Sequence, residues 1–167
     1  MYALIGKNLK HSFSKEIHRA LGNTNYELVN TDNLAAFLKK QKYLGINVTI
    51  PYKTEIIPYL DEIDEIAKIT NSVNTIVFDG EKAMGYNTDY YGFVEMLGFH
   101  KVNVKDKSVI ILGNGSVSNT VSLALKNLGA KKIVRLCRNK KVETDYLFST
   151  FTNFLDYQII INTTPLG

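Results

Sequence analysis

Short apolar runs rich in β-branched residues alternate along the chain with stretches whose apolar positions recur every three or four residues. That alternation predicts an α/β fold with parallel strands. "YALIG" predicts a first strand, and "SFSKEIHRALG" a short helix with serine near its start and Gly22 at its end. "YELVN" predicts a second strand and "DNLAAFLKKQ" a helix with Leu34, Phe37 and Leu38 on one face. "GINVTI" predicts a third strand, after which Pro51 suits the first turn of a helix, where its missing N–H costs nothing. "EIIPYLDEIDEIAKIT" carries helical spacing interrupted by Pro58. "SVNTIVF" and "AMGYN" predict a hairpin turning at Asp79-Gly80, and a further helix begins at Thr88.

A second unit is expected from about Lys105. "KSVIILGNGSVSNTVSLALKNLGAKKIVRLCRN" reads as strand, glycine-rich turn, helix and strand, the βαβ unit of a dinucleotide-binding fold. "YQIIINTT" predicts one more strand. The break between units is expected between about Thr88 and Asn103, bridged by the Thr88 helix. A domain rarely stops straight after a buried strand, so the ending "IIINTTPLG" leads us to expect a longer gene product.

Composition narrows the class. The 167 residues are 45% hydrophobic and 22% charged, which suits a globular protein of one or two small domains. The net charge of +4 is spread over short patches, Lys39–Lys40–Gln41–Lys42, Lys131–Lys132 and Lys140–Lys141. A nucleic-acid partner would call for clustered basicity, so none is expected. The single cysteine, Cys137, permits no disulfide within the chain and suits the cytoplasm. No signal peptide is visible, and no apolar stretch approaches the roughly 20 residues of a membrane span. His11, His18 and His100 lack metal-ligand spacing with any Cys or acid, so no metal is expected.

The turn "ILGNGSV" places Gly113 and Gly115 between an apolar strand and an amphipathic helix. Glycines there let the backbone approach a pyrophosphate, and the helix N-terminus favours its charge. Ser118 stands where a third glycine is usual. At the end of the following strand an NAD site wants an acid for the ribose hydroxyl. This strand reads "IVRLCRN", with Arg135 and Arg138 and no acid. Arg138, just past the strand, suits the 2′-phosphate of NADP.

Four polar clusters in the first unit each lie at the end of a predicted strand: "HSFS" (His11 to Ser14), "NVTIPYK" (Asn47 to Lys53), "VNT" (Val73 to Thr75) and "NTD" (Asn87 to Asp89). Singly, each reads as caps and turns. Four together, at strand ends where α/β folds collect ligands, point to a site. The ordered set HSxS, NVTxPxK, VNT, NTD, the glycine-rich turn and NTTPxG resembles the shikimate dehydrogenase family along the whole chain.

The resemblance implies an N-terminal α/β substrate-binding domain (1–88), a connecting helix (89–102) and a partial Rossmann-like NADP-binding domain (103–167). It implies that Lys53 and Asp89 act in catalysis. Ser12, Ser14 and Thr49 would lie at the substrate carboxylate, and Asn74, Thr88 and Asp89 at the ring hydroxyls. Gly113, Asn114, Gly115, Ser116 and Val117 match the family's GAGGA turn, Arg138 its NRT motif, and Asn162 and Thr163 its NTTPxG. The sequence departs from the pattern at Lys15 (usually Pro), Asn71-Ser72 (usually Gly-Ala), "GNGSV" and "CRN".

The residue types fit the chemistry on their own account. Oxidising a secondary alcohol moves a hydride to nicotinamide and takes a proton from oxygen, which a lysine beside a carboxylate can handle. Hydroxyls and amides suit a polyhydroxy acid. The expected function is NADP-dependent, reversible reduction of 3-dehydroshikimate to shikimate on the way to aromatic amino acids. A small-molecule substrate is its expected partner, with no membrane, and the protein a monomer or homodimer. The alternatives are a paralogue using quinate or NAD, and a catalytically silent sugar-acid binder.

Overall fold

The computed structural model describes residues 1–39 and 42–166. Lys40 and Gln41 of the first lysine patch, and the final glycine of NTTPxG, lie outside the described residues. The chain forms two compact units, Met1–Thr88 and Asp89–Gly167.

The first unit is a six-stranded sheet of β1 (Tyr2–Gly6), β2 (Tyr26–Asn30), β3 (Gly45–Val48), β4 (Glu62–Ile63), β5 (Thr75–Asp79) and β6 (Lys82–Tyr86). Their spatial order is β2-β1-β3-β5-β6-β4. β1 pairs in parallel with β2 and β3, and β4 with β6, while β5 runs antiparallel to both β3 and β6. The sheet is therefore mixed, because the β5–β6 hairpin reverses the chain inside it. Four short helices join the strands: α1 (Ser14–Ala20), α2 (Leu34–Leu38), α3 (Tyr52–Glu55) and α4 (Glu65–Thr70). Asn33 and Asp64 cap α2 and α4 by accepting from the Ala36 and Ala67 N–H groups, about 1 kcal/mol each. The core joins Ile5, Ile46, Val48 and Ile76 of the sheet to Phe37, Ile56 and Val73. Each such side chain stabilises the unit by about 1.5–3 kcal/mol on burial.

The stretch from Glu55 to Thr70 departs from the expected interrupted helix. α3 stops at Glu55, a 3-10 turn covers Ile57–Tyr59 with Pro58 at its start, and β4 precedes α4. β4 pairs with Met84 and Gly85. Gly85 is what admits it: a Cβ there would stand 2.5 Å from Leu60 Cδ1. Pro51, expected in a first helical turn, is instead the N-cap of α3, and its bond from Ile50 is cis.

In the second unit α5 (Thr88–Phe99) continues from Asp89 and lays Phe93 and Leu97 against Val104, Val109, Ile111, Val121 and Leu125. β7 (Ser108–Leu112), α6 (Ser116–Asn127) and β8 (Lys132–Cys137) form the expected βαβ unit. β9 (Asp145–Leu147) and a 3-10 segment over Phe148–Phe154 follow, then β10 (Ile159–Asn162). The sheet is parallel throughout, in the order β10-β7-β8-β9. This is the 3-2-1-4 order of a doubly wound nucleotide fold, with its switch point between β7 and β10.

Candidate active site

In the first unit the four polar clusters meet through hydrogen bonds. Ser12 caps the 3-10 turn Leu9–His11, and Ser14 opens α1. The Ser12 hydroxyl donates to Ser14 Oγ at 3.1 Å, while the Ser14 N–H donates to Ser12 Oγ at 3.2 Å. Asn74 is buried at the start of β5, its N–H donating to Tyr86 and its carbonyl accepting from Val48. Its Oδ1 accepts from the Thr88 N–H at 2.9 Å, the Thr88 hydroxyl at 3.1 Å and the Thr75 hydroxyl at 3.1 Å. The "VNT" and "NTD" motifs are thus one construction across the β5–β6 pair.

"NVTIPYK" is fastened to the same place. The Thr49 N–H donates to the Ile5 carbonyl at 2.9 Å, and Thr49 packs so tightly on Gly6 that a Cβ there would stand 2.5 Å from Thr49 Cγ2. Lys53 lies half-buried in α3, and its carbonyl accepts from the Val73 N–H at 2.7 Å, immediately before Asn74. Asn71 ends α4 at φ 51° and ψ 45°, a left-handed conformation that asparagine tolerates. Its carbonyl also accepts from Thr54. The departure from Gly-Ala at Asn71-Ser72 therefore keeps the backbone turn that delivers Asn74.

Tyr26 and Asn47 complete the cluster. The Tyr26 phenol donates to Asn47 Oδ1 at 2.7 Å, and Asn47 Nδ2 donates to Thr75 Oγ1 at 3.3 Å. Burial pushes the Tyr26 phenol up to about 12, and a hydrogen bond from Ser14 draws it partly back. His18 stacks on the Tyr26 ring, with centroids 3.8 Å apart. Asn87 is buried and donates to Thr70 Oγ1, so it serves the frame.

In the second unit Gly113 follows β7 at φ 105°, and a Cβ there would stand 2.9 Å from Thr163 Oγ1. The Thr163 hydroxyl and N–H both donate to the Leu112 carbonyl, so the ends of β7 and β10 close on the switch point. Gly115 is the N-cap of α6, and nothing lies within 4 Å of where its Cβ would be. Ser116 opens the helix, with no acid in the first turn. Val117 packs against the unit's core. Ser118, at the position of the missing glycine, is fully buried and donates to the Gly115 carbonyl, so a small side chain suffices there. Asn162 turns on its own loop, donating to the Leu166 carbonyl and accepting from Thr164.

Asn114 points into the unit: its Nδ2 donates to the Asn139 carbonyl and to Asp145 Oδ2, both at 2.9 Å. Asp145 is fully buried, and Arg135 Nη2 lies 2.8 Å from its Oδ1, an ion pair without the alignment of a hydrogen bond. Burial alone would raise the Asp145 carboxyl, but donors from Asn114 and the Lys141 N–H, with the Arg135 charge, hold it below its ordinary value. Arg135 also donates to Asn119. Arg138 is exposed just past the end of β8. Cys137 is buried, with its thiol pushed up by burial and directed at the Tyr146 carbonyl. Among the described residues no cluster of His, Cys, Asp and Glu could hold a metal ion, and no helix is long and apolar enough to cross a membrane.

Comparison with known proteins decides the family. A family model described as the shikimate dehydrogenase substrate binding domain matches residues 4–76. A shikimate dehydrogenase (NADP(+)) of Clostridium beijerinckii is 38% identical over 99% of this chain and 68% of its own. The chain belongs to the shikimate dehydrogenase family. The crystal structure of shikimate dehydrogenase from Aquifex aeolicus aligns with a TM-score of 0.87 at 35% identity, over 99% of this chain and 69% of that one. Quinate dehydrogenase from Corynebacterium glutamicum, in complex with NAD, aligns at 0.82 with 26% identity, over 98% and 70%. Family membership bears out the α/β architecture expected from the sequence.

Sequence reasoning missed Tyr26, and missed Asp145 with its links to Asn114 and Arg135. Asn47 and Thr75 stood inside the quoted motifs without an assigned role. A tyrosine in "YELVN" carries no sign of its partner 21 residues away.

Proposed function

We propose that the protein is an NADP-dependent oxidoreductase that interconverts 3-dehydroshikimate and shikimate in the route to aromatic amino acids. The observation that carries this reading is the joining of Ser12 and Ser14 to Asn74 and Thr88 through Tyr26, Asn47 and Thr75, with Lys53 anchored beside Asn74 through Val73. The first unit takes the substrate and the second the cofactor. Ser12, Ser14 and Thr49 hold the carboxylate, and Asn74, Thr88 and Asp89 the ring hydroxyls.

The second unit fits NADP. Gly113 and Gly115 give an open turn at the start of a 12-residue helix, and Arg138 stands past β8 for a 2′-phosphate. Asp145 is committed to Arg135 and Asn114, so it offers no acid to a free ribose hydroxyl. Bound NADP supplies the hydride acceptor. Lys53 takes the hydroxyl proton as the alcohol becomes a ketone and returns it in reduction, with Asp89 as the second catalytic group. The reading places the protein in the cytoplasm as a monomer or homodimer, with small molecules alone as partners.

An assay of the full chain with each pairing of shikimate or quinate and NADP or NAD tests this. Shikimate with NADP is expected to be the fastest pairing. Turnover on quinate with NAD alone would move the protein to the quinate branch of its family. Binding without turnover would make it a silent binder.

A further inference from the structure

We propose that Tyr26 is a positioning residue for the substrate site, fixing the Asn47 amide so that the Thr75 hydroxyl donates to Asn74. This rests on the functional reading above. The phenol has one proton, and it goes to Asn47 Oδ1 at 2.7 Å. That fixes which end of the Asn47 amide faces which neighbour: the oxygen faces Tyr26, and Nδ2 donates to Thr75 Oγ1. Having accepted there, the Thr75 hydroxyl donates onward to Asn74 Oδ1 at 3.1 Å, where two further donors arrive from Thr88. The Thr75 donor to the Asn74 oxygen is thus the one reached through Asn47, beside the two from Thr88. Reversing the Asn47 amide would set its nitrogen against Tyr26 and its oxygen toward Thr75, which would draw the Thr75 proton away from Asn74 and leave Thr88 to hold the Asn74 oxygen.

The other end of the chain reaches the two serines. Ser14 hydrogen-bonds to the Tyr26 phenol, and Ser12 donates to Ser14. Tyr26 thus stands between the serines and the Asn74–Thr88 pair, which the functional reading assigns to opposite parts of one substrate. Its ring cannot swing away. It is 4% exposed, packs with Leu4 and Leu9, and is stacked by His18. Phenylalanine would keep all of that packing and lose only the proton.

The test is steady-state kinetics and melting of Tyr26→Phe, Asn47→Ala and the double variant, beside the wild type. Loss of one net hydrogen bond predicts a KM for shikimate raised roughly 5- to 10-fold in Tyr26→Phe. The same experiment should give kcat within about twofold, and an unchanged KM for NADP. The double variant should be no worse than Asn47→Ala, because both act through one chain. An unchanged KM for shikimate in a folded Tyr26→Phe overturns the inference. So does a joint rise in both KM values with a lower melting temperature, which marks general damage. A wild type inactive on shikimate overturns the functional reading first, and this inference falls with it.

Discussion

The side-chain amide of Asn114 donates to Asp145 Oδ2 at 2.9 Å, tying the glycine-rich turn after β7 to the start of β9. The turn is therefore held from inside its own sheet. Asp145 is fully buried and is charged only because Asn114, the Lys141 N–H and Arg135 surround it.

Asn114→Ala should cost about 1–3 kcal/mol at neutral pH, the price of leaving a buried acceptor short of a donor. The pH dependence carries the sign. Asp145 is held below its ordinary value, so its stabilisation is complete above about pH 4 and is lost as pH falls through the folded-state value. The variant's carboxyl is depressed less. Its deficit against the wild type, measured by melting at a series of pH values, should narrow in acid.

Arg135→Met removes the charge opposite a carboxylate with no exposure to water. The expected loss is about 3 kcal/mol or more, read by urea unfolding. Replacing Asp145 by Asn in the same chain should restore part of it, since the uncompensated charge is then gone.

Gly113→Ala meets two obstacles: a φ of 105° that side chains rarely adopt, and Thr163 Oγ1 at 2.9 Å from the new Cβ. We expect about 1–3 kcal/mol of destabilisation. NADPH affinity, followed by fluorescence titration, should weaken as well, because the turn must shift. Gly115→Ala meets no neighbour within 4 Å and serves as the comparison for fold stability.

Arg138→Ala should separate the two cofactors. A charge-assisted contact to a 2′-phosphate predicts a KM for NADP raised about 10- to 100-fold, with the KM for NAD nearly unchanged. Equal changes for both would assign Arg138 a role other than phosphate recognition.

The chain announces some of this directly. Asp79-Gly80 marks the β5–β6 hairpin because the turn chemistry is local, and the β7–α6–β8 unit follows from one apolar run, one glycine-rich turn and one amphipathic helix. β4 is hidden because Glu62 and Ile63 sit within helical spacing, and only pairing with Met84 and Gly85, some 20 residues on, makes them a strand. β9 is hidden for a related reason: Asp145 looks like a loop acid until Arg135 and Asn114 neutralise it. The polar clusters were legible as motifs at strand ends. Their wiring was not, since the bonds from Tyr26 to Asn47 and from Thr88 to Asn74 join residues distant in sequence.

We propose that Lys53, held by its carbonyl to the Val73 N–H beside Asn74, moves the proton in a shikimate oxidation. The most direct measurement is NADP reduction on shikimate by the full chain and by Lys53→Ala, with shikimate binding measured in parallel. We predict turnover by the wild type, and a variant whose kcat falls by about 100-fold or more while much of its shikimate affinity remains. A folded Lys53→Ala variant that turns over shikimate at a near-normal rate would contradict the account.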